Sequence, residues 1–312
     1  MMDDCKILSV ITPVFNRADC VGRCMASVAA QDVPQGWMVE HVVVDDGSAD
    51  ATAAEVERHA GPHVSFERLP ENRGTNAARN AAMRRARGRW VVLLDSDDEM
   101  LPGAVREICG AIDANPDISH FIFSTDDTAA DHQGYGAQRI MTFEDFLLRK
   151  VKGDFVHVLL RQTILDHPFG EKLRIHEGVF FLHYYRRAGR VMFIGKVLYH
   201  RDRERTDHVT FDLDMTNDRA LANKRDAARL RIADFEADYA LTERGRELLE
   251  MERQTVYKLS VLAGDYAEAK EVERRLMAVA PGYALLRRLH CGPMAWRVIK
   301  PLVRLKHRLT RG

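Results

Sequence analysis

Over its first 125 residues the chain alternates short, β-branched apolar runs with helical stretches. That alternation, more than any other feature, limits the folds open to it. Residues 7–11 (ILSVI), 39–44 (VEHVVV), 64–68, 90–94 (WVVLL) and 118–123 read as strands. Residues 19–30, 51–59, 75–87 and 102–115 read as helices, with Asp19 and Pro102 as initiating residues. A βα repeat of this kind implies a mostly parallel α/β sheet of Rossmann type with helices on both faces. Ligands of such sheets bind at the carboxyl ends of the strands.

Further on, residues 143–150 and 178–187 read as helices and 155–160 and 191–199 as strands, followed by a charged loop at 201–210. Beyond Asp214 strand signals stop, and 221–240, 242–262, 266–280 and 296–309 have helical composition and spacing. The expected organisation is an α/β domain over 1–212 and a helical C-terminal region over 213–312 ending in a basic amphipathic tail. A chain of 312 residues has room for both. Its five cysteines are scattered without a CxxC spacing, which argues against a disulfide framework or a zinc site.

The strand ends carry the chemistry. The first strand runs into Thr12-Pro13-Val14-Phe15-Asn16. Pro13 is expected to stop it, and Phe15 either walls a flat heterocycle or packs under the next helix. The second ends in Asp45-Asp46-Gly47-Ser48, two adjacent carboxylates that repel and need donors or cations, or that cap the helix that follows. After the third comes Glu71-Asn72-Arg73-Gly74, entering a helix that carries Arg79, a setting suited to phosphate or to a solvated basic face. The fourth is fully apolar and delivers Asp95-Ser96-Asp97-Asp98-Glu99, four acids in five residues. Hard divalent cations take oxygen ligands and share their shells with phosphates, so this cluster reads as a metal–diphosphate site, with an acidic surface turn as the alternative.

Together these segments resemble the inverting family-2 glycosyltransferases of GT-A fold. The match runs over about residues 6–125 through TPVFN, VVVDDGS at 42–48, ENRGTNAARNAA at 71–82 and GRWVVLLDSDD at 88–98, and extends more weakly to about residue 205. The resemblance implies a nucleotide-sugar site made by Thr12, Pro13, Phe15, Asn16, Asp45, Asp46, Asn72, Arg79, Asp95 and Ser96. The base would stack on Phe15 and bond to Asp45 or Asp46. Asp95-Ser96-Asp97 would be the DxD motif, with Asp97 on the metal, Mn²⁺ or Mg²⁺, and Asp95 on the ribose or in the metal shell. The family's paired acids in the second half are here Glu177-Gly178, which leaves Glu177 as the candidate base and His176 as its neighbour. His200 and His208 are candidates to complete the metal shell.

The implied activity is inverting transfer of a sugar from a nucleoside-diphosphate sugar, UDP-sugars favoured, to a hydroxyl of a glycan or lipid-linked glycan. The alternative is a non-catalytic nucleotide-sugar-binding protein of the same fold. A nicotinamide dehydrogenase is disfavoured because no GxGxxG follows the first strand.

Charge bears on partners. Equal numbers of acids and bases hide an asymmetry: residues 274–312 hold ten bases and no acid, leaving residues 1–273 at a formal −10. The acidic body argues against nucleic acid. WRVIKPLVRLKHRL, from Trp296, interleaves apolar residues with bases, suiting either an anionic membrane surface or packing on the acidic body. The helical region also offers a surface for a homodimer. The N-terminus carries acids where a signal peptide carries bases, and no apolar run nears the roughly 18 residues of a membrane span. The expected location is therefore the cytoplasm, with a peripheral position on the inner face of the plasma membrane if the tail binds lipid.

Overall fold

A computed structural model describes residues 5–173, 176–202 and 218–310. The chain divides into two compact units, one from the described residues of Met1–Arg174 and Phe180–Glu204, the other from those of Ile175–Val179 and Arg205–Gly312. The boundary read near residue 212 lies outside the described residues.

The first unit follows the βα alternation closely. Its elements are β1 (Lys6–Val14), α1 (Val21–Ala29), β2 (Trp37–Asp45), α2 (Thr52–Arg58), β3 (Val64–Arg68), α3 (Thr75–Arg85), β4 (Trp90–Leu93), β5 (Asp98–Met100), α4 (Ala104–Ala114) and β6 (His120–Thr125). Next come α5 (Ala129–His132), β7 (Gln138–Thr142), α6 (Phe143–Leu147), β8 (Val156–Leu160), α7 (Arg161–Asp166), α8 (Gly178–Ala188) and β9 (Arg190–Arg201). The strands form one sheet in the order β3-β2-β1-β4-β8-β6-β9-β5, with β7 also on β9.

The expectation of parallel pairing holds for β3-β2-β1-β4 and for β6 beside β9. The pairings β4–β8, β6–β8, β5–β9 and β7–β9 are antiparallel. Strand period places successive side chains on opposite faces. Leu8 and Val10 of β1 pack with Cys24 and Val28 of α1 and with Val105, Ile108 and Cys109 of α4. Ser9, between them, faces the other way, where its hydroxyl accepts the N–H of Gly88 just past α3 at 2.9 Å. Helices thus cover both faces. Complete burial of each such Val or Leu contributes about 1.5–3 kcal/mol.

Three readings are corrected here. Pro13 does not stop the first strand: β1 continues to Val14, paired with β2. Its last pairing with β4 is at Ile11, so on that side nothing needs the N–H that Pro13 lacks. Asp19 does not cap α1, whose N-cap is Cys20 with no side-chain bond. The helix read over 266–280 ends at Glu273.

The second unit contains α9 (Asp218–Ala240), α10 (Glu243–Ala263), α11 (Tyr266–Glu273), α12 (Pro281–Arg288) and α13 (Gly292–Thr310). Helix α10 packs along α9 and also carries α11, α12 and α13. It opens at Thr242, whose hydroxyl accepts the Gly245 N–H at 3.0 Å, and closes at Gly264, φ 83°, a left-handed C-cap open to glycine. Inside, Arg231 forks onto buried Glu252 at 2.8 and 2.9 Å. Among the described residues no helix is long and apolar enough to cross a membrane.

Candidate functional site

The carboxyl ends of β1, β2 and β4 lie side by side in the parallel half of the sheet, so the residues that follow them share one rim. At the end of β1, Phe15 is 39% exposed, which removes the reading of an aromatic packed under a helix. Asn16 follows with φ 51°, a left-handed conformation that Asn tolerates, and bonds outward to the neighbouring turn. Its N–H donates to Ser48 Oγ at 2.8 Å and its Oδ1 accepts the Ala49 N–H at 2.9 Å. Pro13 is buried, and the Thr12 hydroxyl is turned into the core against His41 Nε2 at 2.9 Å. Thr12 is fully buried, so its side chain does not line the rim.

The turn after β2 is built by backbone donors. Asp45 Oδ1 accepts the Ser48 N–H at 2.9 Å and its hydroxyl at 2.5 Å, while Oδ2 lies 3.4 Å from Arg68 Nε. Asp46 accepts the N–H groups of Arg73 at 2.8 Å and Gly74 at 2.7 Å, one through each oxygen. Gly74 is the N-cap of α3, so Asp46 fixes where that helix begins. Gly47 combines φ 73° with backbone approach: a Cβ there would lie 2.7 Å from the Glu71 carbonyl carbon and 2.9 Å from Asn72 N. The half-buried Asn72 thus sits directly on the acidic turn.

Helix α3 projects Arg79 toward the end of β4. Arg79 Nη2 meets Asp95 Oδ1 at 2.9 Å, its guanidinium lies 5.7 Å from the centre of the Phe169 ring, and the residue is only 9% exposed. Burial raises the Asp95 carboxyl, but Arg79 and then Arg201 outweigh it, leaving the carboxyl below its usual range. Ser96 is buried in the bend and Asp97 half-buried; the Asp98 N–H closes the turn on Asp95 O at 3.1 Å. From there β5 pairs with the end of β9 in the register Asp98↔Arg201 and Glu99↔His200. That register sets Arg201 Nε 3.6 Å from Asp98 Oδ2, while its Nη1 reaches Asp154 at 3.0 Å.

His200, expected on the metal, bonds through Nδ1 to Asp126, which raises its pKa. His208 lies outside the described residues. Among the described residues no three His, Cys, Asp or Glu side chains group to hold a metal by themselves. The carboxylate oxygens of Asp95 and Asp97 are hard donors of the kind Mg²⁺ and Mn²⁺ take, and such ions complete their shells with substrate phosphates. The donor set fits a cation bound jointly with a diphosphate, not a metal centre made by protein alone.

Glu177 is half-buried immediately before α8, in the short segment Ile175–Val179 that groups with the helical unit. Beside it His176 has φ 73°; burial, with Arg231 and Lys224 nearby, lowers its pKa to about 4, so it is neutral at physiological pH.

Sequence reading missed a clamp. Buried Asn76 donates to Leu173 O at 2.6 Å, and buried Asn80 exchanges bonds with the Phe169 backbone at 2.8 and 3.0 Å. The two asparagines lie one turn apart on α3 and hold residues 169–173 against it. Two amides at i, i+4 on an otherwise Ala-rich buried helix were the available signal.

Residues 9–162 match the family described as Glycosyl transferase family 2. The chain is 42% identical over 113 residues to the succinoglycan biosynthesis protein ExoO of Rhizobium meliloti, covering 36% of this chain and 32% of the relative. It is 28% identical over 190 residues to the GalNAc(5)-diNAcBac-PP-undecaprenol beta-1,3-glucosyltransferase of Campylobacter jejuni, covering 57% and 60%. The chain therefore spans between about a third and three fifths of the length of these curated relatives. Its fold is that of S. aureus TarS 1-349 solved with UDP-GlcNAc, at TM-score 0.65 and 19% identity over 96% of this chain and 92% of that one.

Proposed function

Residues 9–162 place the chain in glycosyl transferase family 2, on a GT-A fold, and from that premise we propose that it transfers a sugar from a nucleoside-diphosphate sugar to a hydroxyl of a glycan or lipid-linked glycan. The observation that carries the reading is the Asp95-Ser96-Asp97 turn at the end of β4, on the same rim as exposed Phe15 and the Asp45–Asp46 turn. The UDP-GlcNAc named for the TarS structure supports a UDP-sugar donor, and the undecaprenol-linked substrate named for the Campylobacter relative supports a lipid-linked acceptor.

Phe15 offers a face for the base, and Asp45 with Asp46 holds the loop that encloses it. Asp97, with Asp95 beside it, would hold Mn²⁺ or Mg²⁺ against the diphosphate; when bound, the ion neutralises the charge that grows on the leaving group. Arg79 holds Asp95 in place and adds positive charge on the same side. Glu177, assigned by its sequence position, takes the proton from the acceptor hydroxyl as the new C–O bond forms and the anomeric C–O bond to the diphosphate breaks. A single displacement inverts the anomeric carbon. Gly178 beside Glu177 supports a second reading, a nucleotide-sugar-binding protein without transfer.

Calorimetric titration of UDP, GDP and dTDP with and without Mn²⁺, on the wild type and on Asp97→Ala, tests the donor site. Metal-dependent binding of one nucleotide, lost in the variant, is expected; no binding by folded protein overturns the reading. Binding without transfer to any acceptor selects the second.

A further inference from the structure

The helical unit leaves aliphatic side chains in water along a stretch of chain that carries only positive charge. Leu285 of α12 and Leu289, the C-cap one turn on, are 56% and 64% exposed; Met294 and Val298, one turn apart on α13, are 68% and 70% exposed. The inward faces of the same helices are filled. Trp296 packs with Leu221, Leu259 and Leu262 and donates its indole N–H to Asp218 Oδ1 at 2.7 Å, while Tyr283 and Leu286 pack on Tyr257 and Val261. Two residues either side of Trp296, Met294 and Val298 are turned away by the helical period. Arg288 and Arg297, next in sequence to Leu289 and Val298, are exposed. From Arg274 to the end the sequence has ten bases and no acid.

We infer that this face of α12 and α13 docks on the anionic surface of a lipid bilayer, with the four aliphatic side chains at the headgroup boundary and the arginines on lipid phosphates. Charge selects the occupant. A second copy of the same all-basic stretch would be repelled, and a nucleic acid would pair with the arginines but gain nothing from exposed aliphatic groups. A bilayer rewards both. Beside the face, a cavity of about 340 Å³ is lined by Leu221, Leu262 and Trp296 together with Arg225, Arg297 and Lys300, with Asp218 its one acid. Lys300 there pairs with Asp218 at 3.2 Å and Arg225 lies 3.8 Å from both Asp265 and Glu268, so the cavity adds apolar wall beside the face more than charge. The docking face stands independently of the transferase chemistry, because none of its residues belongs to the β4 rim.

The test is co-sedimentation of the full chain with vesicles of phosphatidylcholine alone and of phosphatidylcholine with phosphatidylglycerol, at low and high salt. The wild type is expected to pellet with the anionic vesicles only. The variant Leu285→Gln, Leu289→Gln, Met294→Gln, Val298→Gln should lose about tenfold or more in partitioning with an unchanged melting temperature, since all four groups are exposed. A second variant, Arg288→Gln with Arg297→Gln, should weaken binding several-fold at low salt and little at high salt, which keeps the inference testable should the first fold poorly. Equal pelleting of wild type and both variants, equal binding to neutral vesicles, self-association without vesicle binding, or binding to RNA alone would each overturn it.

Discussion

The acidic turns after β2 and after β4 stand on the same rim but are neutralised differently. Asp45 and Asp46 receive backbone N–H groups from Ser48, Arg73 and Gly74, all within 30 residues of chain. Asp45 adds Arg68 Nε at 3.4 Å to these donors, whereas Asp95 and Asp98 face guanidinium groups first of all: Arg79 from the preceding helix and Arg201 from a strand more than 100 residues away. A carboxylate clamped by peptide N–H groups is structural, since its donors are fixed in the chain. One balanced by side-chain cations exchanges partners readily, because arginine serves a diphosphate as well as a carboxylate. On the proposed function, the first turn would build the pocket and the second would be the place where charge changes hands.

That contrast breaks most visibly at Asp97. Asp97→Ala should lower transfer by about 10³-fold or more while the melting temperature holds, since the loss falls on charge stabilisation and not on folding; kinetics paired with calorimetry decide it. Asp46→Ala should do the opposite, destabilising the fold by about 2–4 kcal/mol by orphaning the Arg73 and Gly74 N–H groups. A variant that melts like the wild type would end the claim that the β2 turn is structural.

Next in size is the acid response of Asp95. Its folded pKa is depressed, so the group contributes stability above its unfolded pKa of about 3.9, lost as pH falls through the lower folded value. In Arg79→Gln the burial that raises this carboxyl meets less opposition. The folded pKa of Asp95 should then rise toward its unfolded value, so that Asp95 titrates at higher pH and its share of the fall in melting temperature below about pH 4 shrinks. An unchanged acid leg would show that Arg201 alone sets this carboxyl. The smallest effect belongs to Ser48→Ala, which removes one donor to Asp45 and the acceptor for the Asn16 N–H. About 1 kcal/mol in chemical denaturation, with nucleotide affinity nearly kept, is expected.

The parallel half of the first unit was legible because each of its strands is a local pattern and the candidate residues of the rim follow their strands directly. Phe15, Asp45–Asp46 and Asp95–Asp97 could all be placed from the chain alone. The other half was read less well. β5 has three residues and β7 has five, mostly exposed, so neither carries the apolar run that marks a strand. For Thr12, named only through the family resemblance, strand alternation turns the hydroxyl inward to His41. What the sequence did not show for His200 is its setting: β5 pairs with its strand and Asp126 holds its Nδ1.

By itself the sequence determined the βα alternation, the positions of the acidic turns and the helical, basic character of the last hundred residues. These follow from local periodicity, side-chain volume and charge, which neighbours along the chain express. Only the tertiary structure decided which cation answers which acid, how the amides of α3 hold residues 169–173, and which apolar groups of α12 and α13 remain in water. Counter-charge and burial act through space, and the sheet order that brings Arg201 to Asp98 is written in no single segment.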